Sequence, residues 1–429
     1  MPLPFKSSNE TSSQPLIEPS EEAGSQERIT SAGFFVSQYL TEQATIPGVK
    51  TAAEKLHSSE KEGLGLKELY FEMYFGSEAV TRTGKTGALG FPEVDTEDQH
   101  IYVLLHGWTG TGALFSQVPS QYGNRSLVAE IIARDPKAVI IVPDGVGFGY
   151  SEYNQDLGKN LKDKCTIRAY SEQVEFILGD LLGIDKERRS DVHVMGHSMG
   201  GAATLDLTAR GWGEPKTNVA VSPALMASTE ERSYGQITAT YAALQSLLGR
   251  VEAIRKSVPG ESAPKLISEL TGLVFNNVLA RPLMGEQTNG DVDKKVFKGI
   301  MDVLKPLHLE QLLTKLELSS VVMGNLQQGV KPDEYTEGEL ERMAGCNKVC
   351  GAKDNLGGGR ELRIFFPLRG QIRGSASPDS YWGTLYRQTT KIISNAGHYA
   401  PLFSPEALDP LFVWSESREK VSSLARVAD

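Results

Sequence analysis

The chain has 429 residues, 40% hydrophobic and 23% charged, which is the make-up of a globular protein with a large core: two or three domains by length, or one α/β domain with insertions. A formal net charge of -10 and a pI near 5.4, with basic runs no longer than "KERR" at 186–189, argue against a nucleic-acid partner, because binding phosphates takes clustered Lys and Arg. No apolar run reaches the length of a membrane span. In chain order, residues 1–27 are rich in Ser, Glu and Pro, lack the charged start and apolar centre of a signal peptide, and predict a disordered tail. Two short helices, "ITSAGFFVSQYLTEQA" and "GVKTAAEKLHSSEK", are expected within an N-terminal helical extension over 28–65. "LKELYFEMYFG", 66–76, alternates like a half-buried strand.

From residue 101 short apolar runs alternate with helical stretches. "IYVLLHG", "AVIIVPD", "DVHVMGHS" and "NVAVSPAL" read as strands, and "RSLVAEIIARD", "IRAYSEQVEFILGDLLGI" and "GGAATLDLTARG" as helices. Strands buried on both faces and joined by helices imply a mostly parallel sheet flanked by helices, with ligands bound beyond the carboxyl ends of the strands. Residues 66–225 would be the first part of this α/β core and 346–429 the second. Between them, 226–345 reads as an inserted helical cap, where Ile237, Tyr241, Leu244, Leu248, Val251 and Ile254 form one apolar stripe. After it, "ELRIFFPLRG" and "TKIISNAGH" resume the strand pattern, and "SPEALDPLFVWSESREKVSSLARV" reads as one or two helices.

The chemistry centres on "VMGHSMGGA", where Ser198 stands between Gly196 and Gly200 at the end of an apolar run and opens a helix of small residues. A turn this sharp strains the serine backbone and admits only glycine beside it, which exposes Oγ at the amide end of a helix. A serine hydroxyl needs a base. His57, His100, His193, His197 and His308 read as structural, whereas His398 ends "KIISNAGHYAPLF" on a loop at the carboxyl edge of the sheet and is the candidate base. The Gly-rich turn in "LLHGWTGTG" offers backbone donors for an oxyanion, with Trp108 and Met199 N–H as the expected pair. Asp144 in "VPDGVGF" is expected to brace its own loop.

"VLLHGWTG", "VIIVPDGVGFGYS", "VMGHSMGGA", "VAVSPAL" and "NAGHYAPLFSPEAL" together resemble the successive strand-end motifs of the α/β-hydrolase superfamily, over residues 100–225 and about 360–415. The resemblance implies an α/β-hydrolase fold and ester or related acyl chemistry, with Ser198 as nucleophile, His398 as base, and Trp108 and Met199 as oxyanion donors. The family's acid usually sits in a G-x-x-D arrangement after the penultimate strand. If that strand is "ELRIFFPLRG", the slot falls near Arg373 and the nearest acid is Asp379. "VCGAKDNL" matches the motif locally at Asp354, but forty-four residues before His398 and with little strand in front of it. Asp379 is the preferred acid and Asp354 the alternative, an acid elsewhere or a dyad also being open.

The expected activity is cleavage of a carboxylic ester through an acyl-enzyme. The helical cap suggests a hydrophobic small-molecule or lipid ester as substrate. The same machinery suits a peptide, an amide or acyl transfer, and a non-catalytic member of the fold would keep the pocket without turnover. Cys165, Cys346 and Cys350 are too few and odd in number for a disulfide framework, so a reducing, cytoplasmic setting is expected. Cys346 and Cys350 have no histidine close in sequence, and neither a metal nor an organic cofactor is expected.

Overall fold

The structure, a computed structural model, describes residues 34–40, 66–76, 78–79, 99–116, 118, 126–145, 147–153, 161–184, 186–224, 236–279, 294–328, 334–352, 354, 388–394 and 396–413. The predicted tail over 1–27, "ELRIFFPLRG" and Asp379 lie outside the described residues.

Nine strands form one sheet among the described residues: β1 Phe34–Leu40, β2 Leu66–Phe75, β3 His100–Leu105, β4 Ala138–Pro143, β5 Glu152–Tyr153, β6 Val192–His197, β7 Val219–Val221, β8 Asn347–Gly351 and β9 Thr390–Ile393. Their order is β1-β2-β4-β3-β6-β7-β8-β9, with β5 beside β2. From β4 through β9 every pairing along this order is parallel, while β1 and β2 join antiparallel. The expected architecture, a mostly parallel sheet flanked by helices, is the one observed. β3, β4 and β6 are buried along nearly their whole length, as continuous runs such as "AVIIVP" require when helices cover both faces.

The N-terminal reading needs correction. Phe34–Leu40 is a strand paired antiparallel with β2, where a helix was expected. "FFVSQYL" is rich in aromatic and β-branched residues, and the free edge of β2 satisfies its backbone groups, so tertiary pairing overrides a weak helical pattern. The rest of 28–65 lies outside the described residues.

The sheet is flanked by α1 Leu127–Arg134, α2 Ile167–Glu175 and α3 Met199–Ala209, the first two opened by Ser126 and Thr166 side chains that accept from the third helical amide. Between β7 and β8 come α4 Gln236–Ser257, α5 Ser262–Val274, α6 Lys294–Thr314, α7 Leu316–Gln328 and α8 Glu337–Gly345. On α4 the buried stripe is Thr240, Leu244, Leu247 and Val251, with Tyr241, Leu248 and Ile254 half-buried beside it. No helix among the described residues is long and apolar enough to cross a membrane.

β8 carries a buried lysine. Lys348 Nζ donates to the carbonyls of Ala344 at 2.7 Å, Cys346 at 2.5 Å and Met343 at 3.3 Å, and to Thr389 Oγ1 at 3.0 Å. The cation thus closes the carbonyl end of α8 and ties β8 to the start of β9, while desolvation pushes its pKa down to about 8.

Candidate active site

Parallel register brings the strand ends to one edge of the sheet. Leu105 pairs with Gly196, His197 with Val221, Val221 with Val349, and Gly351 with Ile393. The residues that follow, His106–Thr109 after β3, Ser198 after β6, Asp354 after β8 and His398 after β9, therefore gather at the carboxyl edge. β4 and β6 lie on opposite sides of β3, which makes the crevice between β3 and β6 the switch point where such sheets bind ligands.

Ser198 sits at φ 57°, ψ -114°, a conformation that costs about 1–3 kcal/mol and persists only where its surroundings enforce it. Its N–H donates to Val221 O at 2.9 Å, and its carbonyl accepts from Ala202 and Ala224, each at 3.0 Å. Both flanking glycines are packed shut: a Cβ on Gly196 would stand 2.1 Å from Gly200 O, and one on Gly200 would stand 2.1 Å from Leu105 O. Met199 is the first residue of α3, so its N–H has no acceptor within the helix.

The β3 turn presses on this elbow, since a Cβ on Gly107 would lie 3.0 Å from Ser198 Cβ. The one backbone bond inside the turn, Gly110 N–H to Gly107 O at 3.0 Å, leaves the Trp108 amide outside it. His106 sets the base of the turn: Nε2 accepts from Gly145 N–H at 2.7 Å, so the proton is on Nδ1, which donates to Gly107 O at 2.8 Å. Asp144 braces its own loop through Tyr150 N–H at 3.0 Å, as expected, and also receives Gly112 N–H of the β3 turn at 2.7 Å.

The side chains of His398 and Asp354 are both 1% exposed, and His398 Nδ1 lies 3.0 and 3.1 Å from the two Asp354 carboxylate oxygens. Gly351 permits the approach, because a Cβ there would meet Ala396 O and Gly397 O at 2.2 Å. Among the described residues His398 Nε2 is buried with no hydrogen-bond partner, and it makes no hydrogen bond to the Ser198 hydroxyl. The turn that carries His398 is pinned by the residue next to the serine: His197 Nε2–H donates to His398 O at 3.0 Å, and the two rings lie 4.6 Å apart. Of the candidates named from sequence, Ser198, Met199, Trp108, His398 and Asp354 are thus assembled at one edge. His197 and His308, read there as structural, also touch the site's turns, through contacts between residues roughly 90–200 positions apart that no local motif announces.

The buried imidazoles make the site acid-sensitive. Desolvation pushes His106 and His308 down to about 4 and His197 well below the usual histidine range. The unfolded chain takes up these protons near pH 6.5 and the native protein does not, so stability present above 6.5 is lost as pH falls toward 4, by about 3 kcal/mol for each of His106 and His308. Asp144 works the other way: burial raises it to about 7, and the cost of its charge is relieved over the same window, offsetting roughly one histidine. Thermal unfolding followed by circular dichroism should show Tm falling between pH 6.5 and 4. A flat profile would contradict the neutral assignment of the three rings.

A sequence profile described as the alpha/beta hydrolase family matches residues 102–316, half of the chain. No curated protein matches the chain in sequence. Among solved structures, the chain is similar to the acetyl esterase MekB at 16% identity and a TM-score of 0.43, over 80% of this chain and 89% of that one. The 2-hydroxy-6-oxo-6-phenylhexa-2,4-dienoate hydrolase of Rhodococcus sp. strain RHA1 is similar at 14% identity and a TM-score of 0.42, over 89% and 98%. An acetylester hydrolase from Corynebacterium glutamicum is similar at 15% identity and a TM-score of 0.41, over 81% and 92%.

Proposed function

The chain belongs to the alpha/beta hydrolase family, and from that premise we propose that it is a serine hydrolase cleaving carboxylic esters through an acyl-enzyme on Ser198. The observation that carries this reading is the buried contact of His398 Nδ1 with Asp354 at 3.0 Å, on a turn that His197 ties to the strained serine elbow. With Nδ1–H held by the carboxylate, Nε2 carries the free lone pair and is the atom that accepts a proton.

In this reading His398 Nε2 removes the Ser198 proton as Oγ bonds to the ester carbonyl carbon. Rotation of the serine side chain closes the contact when substrate arrives, as catalytic hydrogen bonds commonly tighten in the complex. The oxyanion is held by Trp108 and Met199 N–H, each worth about 3 kcal/mol. The C–O bond then breaks, His398 gives its proton to the leaving alcohol, and a water deprotonated by the same ring releases the acid. The inserted helices α6 and α7 meet the β3 turn through His308 and Ser319, and a cap built from them would suit a hydrophobic ester. Cys165, Cys346 and Cys350 are buried and, as three, too few and odd in number for a disulfide framework, which suits the cytoplasmic setting proposed with it.

A fluorophosphonate should label the protein once, on Ser198, and the label should vanish in Ser198→Ala, with mass spectrometry as the readout. An unreactive native protein would overturn the reading and favour a ligand-binding member of the fold. p-Nitrophenyl esters of increasing chain length report on substrate class, and kcat/KM that falls with length would contradict a hydrophobic pocket.

A further inference from the structure

We infer that His308, on the inserted helix α6, is a positioning residue that couples seating of the cap to alignment of the oxyanion turn and the base-bearing turn. The inference deepens the reading of Ser198 as nucleophile and rests on it.

His308 is 1% exposed and stands between the two turns, with Nδ1 2.6 Å from Thr109 Oγ1 and Nε2 2.6 Å from Tyr399 Oη. The chain of protons has one consistent direction. Thr109 O–H donates to Trp108 O at 2.7 Å, so its oxygen accepts from His308 Nδ1–H, and Nε2 accepts from the Tyr399 phenol. One imidazole thus reaches both halves of the machinery. Thr109 belongs to the peptide that follows the proposed donor Trp108, and Tyr399 follows His398 directly.

Thr109 needs that support, because at φ 56° it is a non-glycine residue in left-handed backbone, a strain kept only while neighbours enforce it. Two further contacts join the same surfaces. Trp108 Nε1–H donates to Ser319 O on α7 at 2.9 Å, and Gln311 Oε1, one turn beyond His308, accepts from Gly149 N–H at 3.1 Å. On the other side, Tyr399 stacks on His197 with ring centroids 4.4 Å apart, and His197 holds the His398 carbonyl. Burial keeps His308 neutral, with His106 and His398 adding to the effect, so the chain of donors holds its direction near neutral pH. Lifting α6 to admit substrate breaks both 2.6 Å bonds together, which frees the strained turn and the base turn, and reseating it restores them. The open form is then the entry form and the closed form the reactive one.

Three variants test this: His308→Leu, which removes both bonds, His308→Gln, which keeps a donor and an acceptor, and Tyr399→Phe, which removes one bond and keeps the ring. Steady-state kinetics on a p-nitrophenyl ester should show His308→Leu lowering kcat by about 30- to 100-fold with KM changed less than about threefold, since loose alignment costs rate more than binding. Tyr399→Phe should lose about five- to tenfold and His308→Gln should recover most of the loss. Amide hydrogen exchange over 106–112 and 396–402 should quicken in His308→Leu and Tyr399→Phe. Folded variants with wild-type kcat and unchanged exchange in both segments would overturn the coupling. Should His308→Leu fail to fold, Tyr399→Phe decides by the same two measurements. If the wild type resists fluorophosphonate, the Ser198 reading fails by itself, and exchange in the two turns still decides the coupling.

Discussion

Asp354→Asn is expected to lower kcat by about 10⁴ while leaving secondary structure and Tm nearly unchanged. The two side chains differ by one hydrogen-bonding group and are the same size, so the cavity is still filled. What changes is the ring: an amide presenting N–H to His398 Nδ1 turns that nitrogen into the acceptor, puts the proton on Nε2, and removes the atom that must take the serine proton. If the amide oxygen faces the ring instead, the tautomer survives. The imidazolium formed during attack then lies in a site where both side chains are 1% exposed, without the charge that stabilises it. Either orientation costs rate and leaves KM largely alone. Asp379→Asn should retain full activity, and the pair of variants assayed on one ester separates the two carboxylates. Wild-type kcat in Asp354→Asn would remove Asp354 from the machinery.

That Asp354, the proposed acid, is the least legible member of the candidate site has a physical cause. The signal was present, since Gly351 and Asp354 follow an apolar strand end, but β8 reads as only "VC" because Lys348 interrupts it. A lysine in a short run signals solvent, and here its ammonium is instead taken up by α8 carbonyls and Thr389, contacts that exist only after α8 has folded back. The thirty-odd residues before β9 then make the acid-to-base spacing unusual and lend weight to the more apolar "LRIFFPL". Ser198 and His398 were legible for the opposite reason. Each carries a local motif in the sequence, Gly196 and Gly200 around the serine and Asn-Ala-Gly ahead of the histidine. The β1 segment was misread because an edge strand draws its stability from a partner distant in sequence, and His308 gave no sign because Thr109 lies 199 residues away.

The elbow itself sets the second large effect, and it follows from space alone. In Gly200→Ala the new Cβ would fall 2.1 Å from Leu105 O and 2.7 Å from His106 O, both backbone atoms of β3 or the turn after it. No side-chain rotation relieves a backbone overlap, so α3 must move off β3, and β3 is buried along nearly its whole length and held on both sides by β4 and β6. A loss of about 4 kcal/mol or more in urea unfolding is expected. In whatever fraction folds, displacement of α3 separates the Met199 amide and Ser198 from the Gly107 turn. An ångström there should slow fluorophosphonate labelling by at least about 100-fold. Gly272→Ala is the matched control, being a glycine within α5 with open space around it, where alanine should stabilise by about 0.5–1 kcal/mol and leave labelling unchanged. Equal labelling of Gly200→Ala and wild type would mean that the serine does not depend on the tight turn, and with that the reading of Ser198 as a nucleophile held in a strained elbow would fall.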